Sequence, residues 1–347
     1  MRFDFKILDL IHRKIFLSII FVSIAVSLLF LAGFLYLNKT NLSTSNLFGL
    51  KLVDKVSPPS EAKGKIYLTL IPIDGSFSQG LYYFDLASMK LEKLFVNEDR
   101  SFITNDFSPR RKDVMAFIMW DADGNRQIFI RNNRSYNIRK LTISDTKRKI
   151  DPEWSPNGKK IAFSASGPGR ESVGPFVPED WNVYVTNLRG METFISKGIY
   201  PKWSPDGKKL LILKNDGLYV YNRNGTGSGN KVWSVIDGKA RFSMKIDVST
   251  DGSMIAWSNA KDGVVVIIKV TSWSPFKGSI YRVLKTSSFW PTFSKDGQFL
   301  AVQEIDYNAE NTNPRLVIYN IETMERETVL DLSDYKQDFM FVSDWQQ

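Results

Sequence analysis

The segment Pro201-Lys202-Trp203-Ser204-Pro205-Asp206-Gly207-Lys208-Lys209-Leu210 decides the fold. It reads as a short strand ending on an aromatic, a tight turn, and a second strand entering the core at Leu210-Leu211-Ile212-Leu213. Proline presets φ at the first corner of the turn, and glycine accepts the positive φ that the reversal needs. The segment recurs. Asp151-Pro152-Glu153-Trp154-Ser155-Pro156-Asn157-Gly158 lies upstream and Pro291-Thr292-Phe293-Ser294-Lys295-Asp296-Gly297 downstream. Weaker copies are Asn105-Asp106-Phe107-Ser108-Pro109 and Asp247-Val248-Ser249-Thr250-Asp251-Gly252, and a half copy, Ser343-Asp344-Trp345, stands near the end.

The anchors Phe107, Trp154, Trp203, Val248, Phe293 and Trp345 are 47, 49, 45, 45 and 52 residues apart. A period of roughly 40–50 residues with several strands per unit marks a β-propeller blade, which cannot bury its own faces and must stack in a ring. The strands Lys65–Ile71, Leu81–Asp85 and Leu91–Val96 have no turn-anchored strand before them. Phe339–Trp345 is expected to supply it, closing the ring and removing two free sheet edges. The fold class is therefore all-β, a six-bladed propeller over residues 65–347 closed by its C-terminal strand. Trp154, Trp203 and Trp345 read as packing residues between blades.

The repeated Trp-Ser-Pro-Asp-Gly-Lys-Lys, with Asp123 to Ile130 following the weaker first copy, resembles the TolB-type, WD40-like propeller repeat family. The resemblance covers residues 65–347. It implies a protein-binding ring. It leaves out the α/β domain that precedes the propeller in TolB, for which the segment 38–64 has no room, and it carries over no partner-binding residue.

Ile15 to Leu37 is an unbroken apolar stretch of 23 residues with three serines and no charge. At 1.5 Å per residue such a helix spans the ~30 Å hydrocarbon layer. Arg2, Lys6, Arg13 and Lys14 precede it, against Lys39 and Lys51 on the near side after it, so the expected topology is a single-pass signal anchor. Residues 1–14 are then a cytoplasmic tail, 38–64 a flexible tether, and the ring lies outside, periplasmic or extracellular.

Composition limits the chemistry. There is no cysteine, and the single histidine is His12 in the tail. Thiol nucleophiles, Ser-His-Asp triads and Cys or His metal sites are excluded from the ring. No phosphate loop or dinucleotide-binding glycine motif occurs, so no cofactor is expected. Asp121-Ala122-Asp123-Gly124-Asn125 reads as a hairpin turn, lacking the later acidic ligands of a calcium loop. From residue 65 onward 38 basic residues face 33 acidic ones, spread over many turns, which argues against nucleic-acid binding.

Two long connections between second and third strands, Ala165 to Trp181 and Gln303 to Pro314, carry acids beside aromatics. The candidate contact residues are Arg170, Glu171, Glu179, Asp180, Trp181, Glu304, Asp306, Tyr307 and Glu310. Trp181 and Tyr307 suit stacking on sugar rings. The expected function is a membrane-anchored docking module for a protein, or a glycan, in an envelope assembly, and not an enzyme. The alternative is a glycoside hydrolase working with paired carboxylates alone.

Overall fold

In this computed structural model the structure describes residues 61–72, 80–96, 104–143, 148–166, 178–234, 243–259, 263–285, 287–305, 314–331 and 337–346. The apolar stretch 15–37, the tail before it and residues 38–60 of the tether lie outside the described residues. Among the described residues no helix is long and apolar enough to cross a membrane.

The described strands form six four-stranded sheets, each an antiparallel meander, and the architecture is a six-bladed β-propeller. Blade one joins the two ends of the ring segment: Gln337–Gln346 is innermost, followed by Lys65–Pro72, Gly80–Asp85 and Lys90–Val96. Ile66 pairs with Trp345, Leu68 with Val342 and Leu70 with Met340. Blade two runs from Asn105–Phe107 to Ile138–Lys140, blade three from Lys149–Trp154 to Glu192–Lys197, and blade four from Ile199–Trp203 to Asn230–Ser234. Ser243–Val248 to Phe276–Leu284 makes blade five, and Ser288–Phe293 to Arg326–Asp331 makes blade six.

The anchor aromatics pack between blades. Trp345 sits in one cluster with Phe299, Leu316 and Ile318 of blade six, and its indole N–H donates to Lys63 O at 2.9 Å. Tyr67 of blade one meets Phe107 of blade two with ring centres 4.4 Å apart. Blade one is thus packed on both sides.

The turns after Trp154, Trp203, Val248 and Phe293 are built from their own side chains. The buried Ser204 hydroxyl donates to Asp206 Oδ1 at 2.6 Å and accepts from Lys209 N at 2.9 Å, while Lys208 N donates to Asp206. Gly207 has φ of 65°, where a side chain would be strained. The same serine, Asp/Asn and glycine set recurs at Ser155, Ser249 and Ser294.

One backbone feature was not anticipated. Asp151, Tyr200 and Trp290, each directly before a proline, have φ of 52°, 56° and 56°. At these points the ladder skips, from Ile150 to Glu153, Ile199 to Lys202 and Phe289 to Thr292. Proline has no N–H to lose from the ladder, so it fits a bulge. Hydroxyls from the preceding blade satisfy two of the displaced amides: Asp151 N donates to Thr104 Oγ1 and Tyr200 N to Ser164 Oγ, both at 3.1 Å. These bulges aim the inner strands at the ring axis.

Truncating Trp345 to alanine is expected to lower stability by about 3–5 kcal/mol, because it empties a site between two blades. Denaturant unfolding of the two proteins checks this; a change below about 1 kcal/mol would mean that Trp345 is not part of the core.

Candidate functional site: a carboxylate-rimmed funnel

Inner strands alternate. With each anchor side chain directed between blades, the residue just before it faces the ring axis. Those residues are Asp344, Asp106, Glu153, Lys202, Asp247 and Thr292 in blades one to six, and all six line a funnel of about 320 Å³. Pro109, Pro156, Pro205 and Lys295 also line it, so it opens on the face that carries the serine turns.

Four carboxylates and one ammonium meet at this level. Lys202 Nζ lies 2.5 Å from Glu153 Oε2 and 3.2 Å from Asp247 Oδ1, all three side chains being 14–19% exposed. Burial works against the Lys202 ammonium, but Glu153, Asp247 and Asp106 outweigh it and raise its pKa. Asp106 has no ammonium so close. Its Oδ2 accepts from Trp154 N, and burial, then Glu153 and Asp344, push its pKa well above the usual carboxylate range. Burial also raises Glu153 and Asp344. Asp247 Oδ2 accepts from Phe293 N at 2.8 Å, so the funnel acids of blades two and five each bond the backbone of the next blade.

Below the funnel, Asp151, Tyr200, Lys245, Trp290 and Phe341 surround a void of about 30 Å³, room for an ordered water. Trp290 and Phe341 meet edge to face at 4.6 Å. Lys245 Nζ donates to Thr292 Oγ1, Val342 O and Ser343 O at 2.6, 3.0 and 3.0 Å, tying blade five to blades six and one. Burial lowers its pKa to about 8 and raises that of Asp151 to about 7.

At the level of the inner-strand acids four carboxylates meet one ammonium, while Lys112 and Lys295 line the funnel further out and Lys245 lies beneath it. The funnel holds no histidine or cysteine. Among the described residues no three His, Cys, Asp or Glu side chains are grouped to hold a metal ion.

The sequence-predicted contact residues lie elsewhere. Second strands run away from the serine turns, so those of blades three and six end, at Ser166 and Ile305, on the opposite face. Trp181 opens the third strand of blade three and is buried with Ile118, Ile150 and Ile199, which makes it a packing residue and not a stacking platform. Asp180 ends a short 3-10 turn, Pro178–Asp180, which also holds Glu179, whose side chain lies outside the described residues. Glu304 is not in a loop: it lies within the strand Phe299–Ile305, where Tyr319 Oη donates to its carboxylate, Arg326 pairs with it at 3.0 Å and Ser288 donates at 3.4 Å. With those partners it is structural. Blades three and six stand on opposite sides of a six-membered ring, so Trp181 and Glu304 are not neighbours. Arg170, Glu171, Asp306, Tyr307 and Glu310 lie outside the described residues. The funnel ring was missed, although its signal is simple: the residue before each repeat anchor.

The fold has counterparts among solved structures. The fold is that of the TolB-like propellers. TolB from Acinetobacter baumannii is 18% identical with a TM-score of 0.61, over 81% of this chain and 66% of its own. A putative TolB from Agrobacterium tumefaciens is 14% identical with a TM-score of 0.54, over 78% of this chain and 90% of its own. An oligogalacturonate lyase in complex with manganese is 13% identical, TM-score 0.54, over 79% of this chain and 81% of its own. At such identities the likeness is one of fold. No family model matches the chain, and no curated protein matches its sequence.

Replacing Lys202 by methionine is expected to destabilise the ring by about 2–3 kcal/mol at pH 8, since it strands partly buried carboxylates. Glu153 and Asp106 have folded-state pKa values above their unfolded ones, so the folded state binds more protons between the two, and stability from protonating them is gained as pH falls. Without Lys202 those values rise further. The deficit should therefore shrink toward pH 5, as measured by urea unfolding from pH 5 to 8; a pH-independent deficit would contradict the pairing.

Proposed function

We propose that the ring is a docking module whose funnel receives a positively charged segment of a protein partner. One observation carries this reading: at the inner-strand level four acids meet a single ammonium, already shared between Glu153 and Asp247, while Lys112 and Lys295 lie further out toward the mouth. A lysine, arginine or amino terminus entering beside Asp106 and Asp344 would offset the burial, and the smaller repulsion from neighbouring acids, that raise their pKa values. The rigid six-sheet frame holds these carboxylates in place before binding, which limits the entropy lost on association. Protein recognition also fits the likeness to TolB and to a chain of the nidogen/laminin complex, the latter 10% identical with a TM-score of 0.55 over 80% of this chain and 93% of its own.

In this reading residues 15–37 anchor the chain, the tether holds the ring near the bilayer on its outer side, and docking serves an envelope-associated assembly. The loop residues Arg170, Glu171, Glu179, Asp180, Asp306, Tyr307 and Glu310 offer a second contact surface, for protein or glycan.

A photo-crosslinking residue in place of Lys112, at the funnel mouth, tests the proposal in native membranes. It should form a discrete protein adduct that is lost on Asp106→Asn plus Asp344→Asn, with thermal unfolding reporting that the variant remains folded. An adduct unaffected by neutralising both acids, or none at position 112, would refute funnel docking.

A further inference from the structure

Eight large apolar side chains among the described residues are exposed, and six of them fall in two short stretches. Tyr136, Ile138 and Ile143 belong to the outer edge of blade two; Leu188, Met191 and Phe194 belong to that of blade three. Ile143 is 76% exposed, Tyr136 71% and Met191 64%, well beyond the half-buried state common for single surface apolar residues. Ile143, Leu188, Met191 and Phe194 stand toward the seam between the two blades, whereas Ile138, paired with Arg131, and Tyr136, over which the Arg131 guanidinium lies, are on the blade-one side of the same outer edge. Arg139 donates to Leu188 O at 3.2 Å across the seam, and Gly190 packs so closely on blade two that a Cβ there would lie 2.6 Å from Leu141 O.

This surface is basic. Residues 134–143 and 186–197 contain Arg134, Arg139, Lys140, Arg189 and Lys197, all exposed, against a single acid, Glu192. Lys140 is paired with Asp121 and Arg134 lies near Asp113, leaving chiefly Arg139, Arg189 and Lys197 to set the field. No residue of the patch lines the funnel, the void beneath it or the small cavity beside Trp273, so it is not a groove shaped for inserted side chains. Exposed turns and an edge strand that mix Phe, Ile, Leu and Met with arginine match the interfacial zone of a bilayer, where apolar groups enter the acyl boundary and guanidiniums meet headgroup phosphates.

We infer that the outer edge of blades two and three is a peripheral membrane-contact surface selective for anionic lipid. It is remote from the funnel acids in chemistry and position, and it would leave that opening free for a partner.

The absence of cysteine allows single-site labelling. The full-length chain carrying Met191→Cys, labelled with an environment-sensitive fluorophore, is compared in nanodiscs of phosphatidylcholine alone and with one third phosphatidylglycerol. Ser279→Cys, on the exposed outer strand of blade five, is the control. The 191 label should shift to the blue in anionic discs only, with no change at 279. Arg134→Glu, Arg139→Glu and Arg189→Glu together should weaken the response at least about tenfold in lipid titration. Equal spectra in the two lipids, an equal shift at 279, or a shift in detergent that grows with protein concentration and so reports a second copy, would each overturn the inference. Retention of the chain by neutral discs reports on residues 15–37 alone, so failure of the anchor and failure of the patch are read separately.

Discussion

Blade one is the constraint on which the other features rest, because its inner strand comes from the far end of the ring segment. Without residues 337–346 the strand Lys65–Pro72 would show an unpaired edge, the hazard that full closure of a β architecture removes. Lys245 would lose two of its three acceptors, Val342 O and Ser343 O, and become a buried ammonium with little compensation. The funnel would lose Asp344. Packing, buried charge and the candidate site therefore depend on one long-range pairing.

The funnel is a consequence of strand geometry applied six times. An aromatic or aliphatic anchor facing between blades forces its predecessor toward the axis, and the chain places acids at four of those six positions. Self-repulsion of such a ring is limited in two ways. Lys202 is shared by Glu153 and Asp247 and offsets one of their two charges, and backbone N–H groups of the next blade bond Asp106 and Asp247. Buried carboxylates with raised pKa values make the remaining charge sensitive to acid, so cation affinity should weaken as pH falls through their titration.

Much of this was legible in the residues. The spacing of Trp154, Trp203 and Phe293, the Ser-x-Asp-Gly turns and the orphan first strand point to the ring and its six units, because turn chemistry and apolar alternation are local. The candidate site was less legible. Weight fell on long polar connections, yet Glu304 belongs to a strand buried on both faces, where Tyr319 and Arg326 satisfy it; a polar pair at the end of an apolar run looks like a loop in one dimension. Trp181 looked like an accessible platform for the same reason. The bulges at Asp151, Tyr200 and Trp290 run against the extended preference of residues before proline, and hydroxyls from neighbouring blades support two of them, a tertiary effect. What did exist in one dimension was the register: reading one residue back from each anchor lists the funnel.

The pairing of the two ends can be measured covalently. Lys65 and Gln346 are directly opposed across the first two strands of blade one, at a separation that a disulfide spans. In a chain with no other cysteine, Lys65→Cys with Gln346→Cys should oxidise readily to an intramolecular bridge, leave the fold unchanged, and keep the two end fragments joined after proteolysis of an intervening loop. Thiols that stay free in the folded protein, or bridges that form only between molecules, would show that the two ends do not share a sheet and that the sealed ring is wrong.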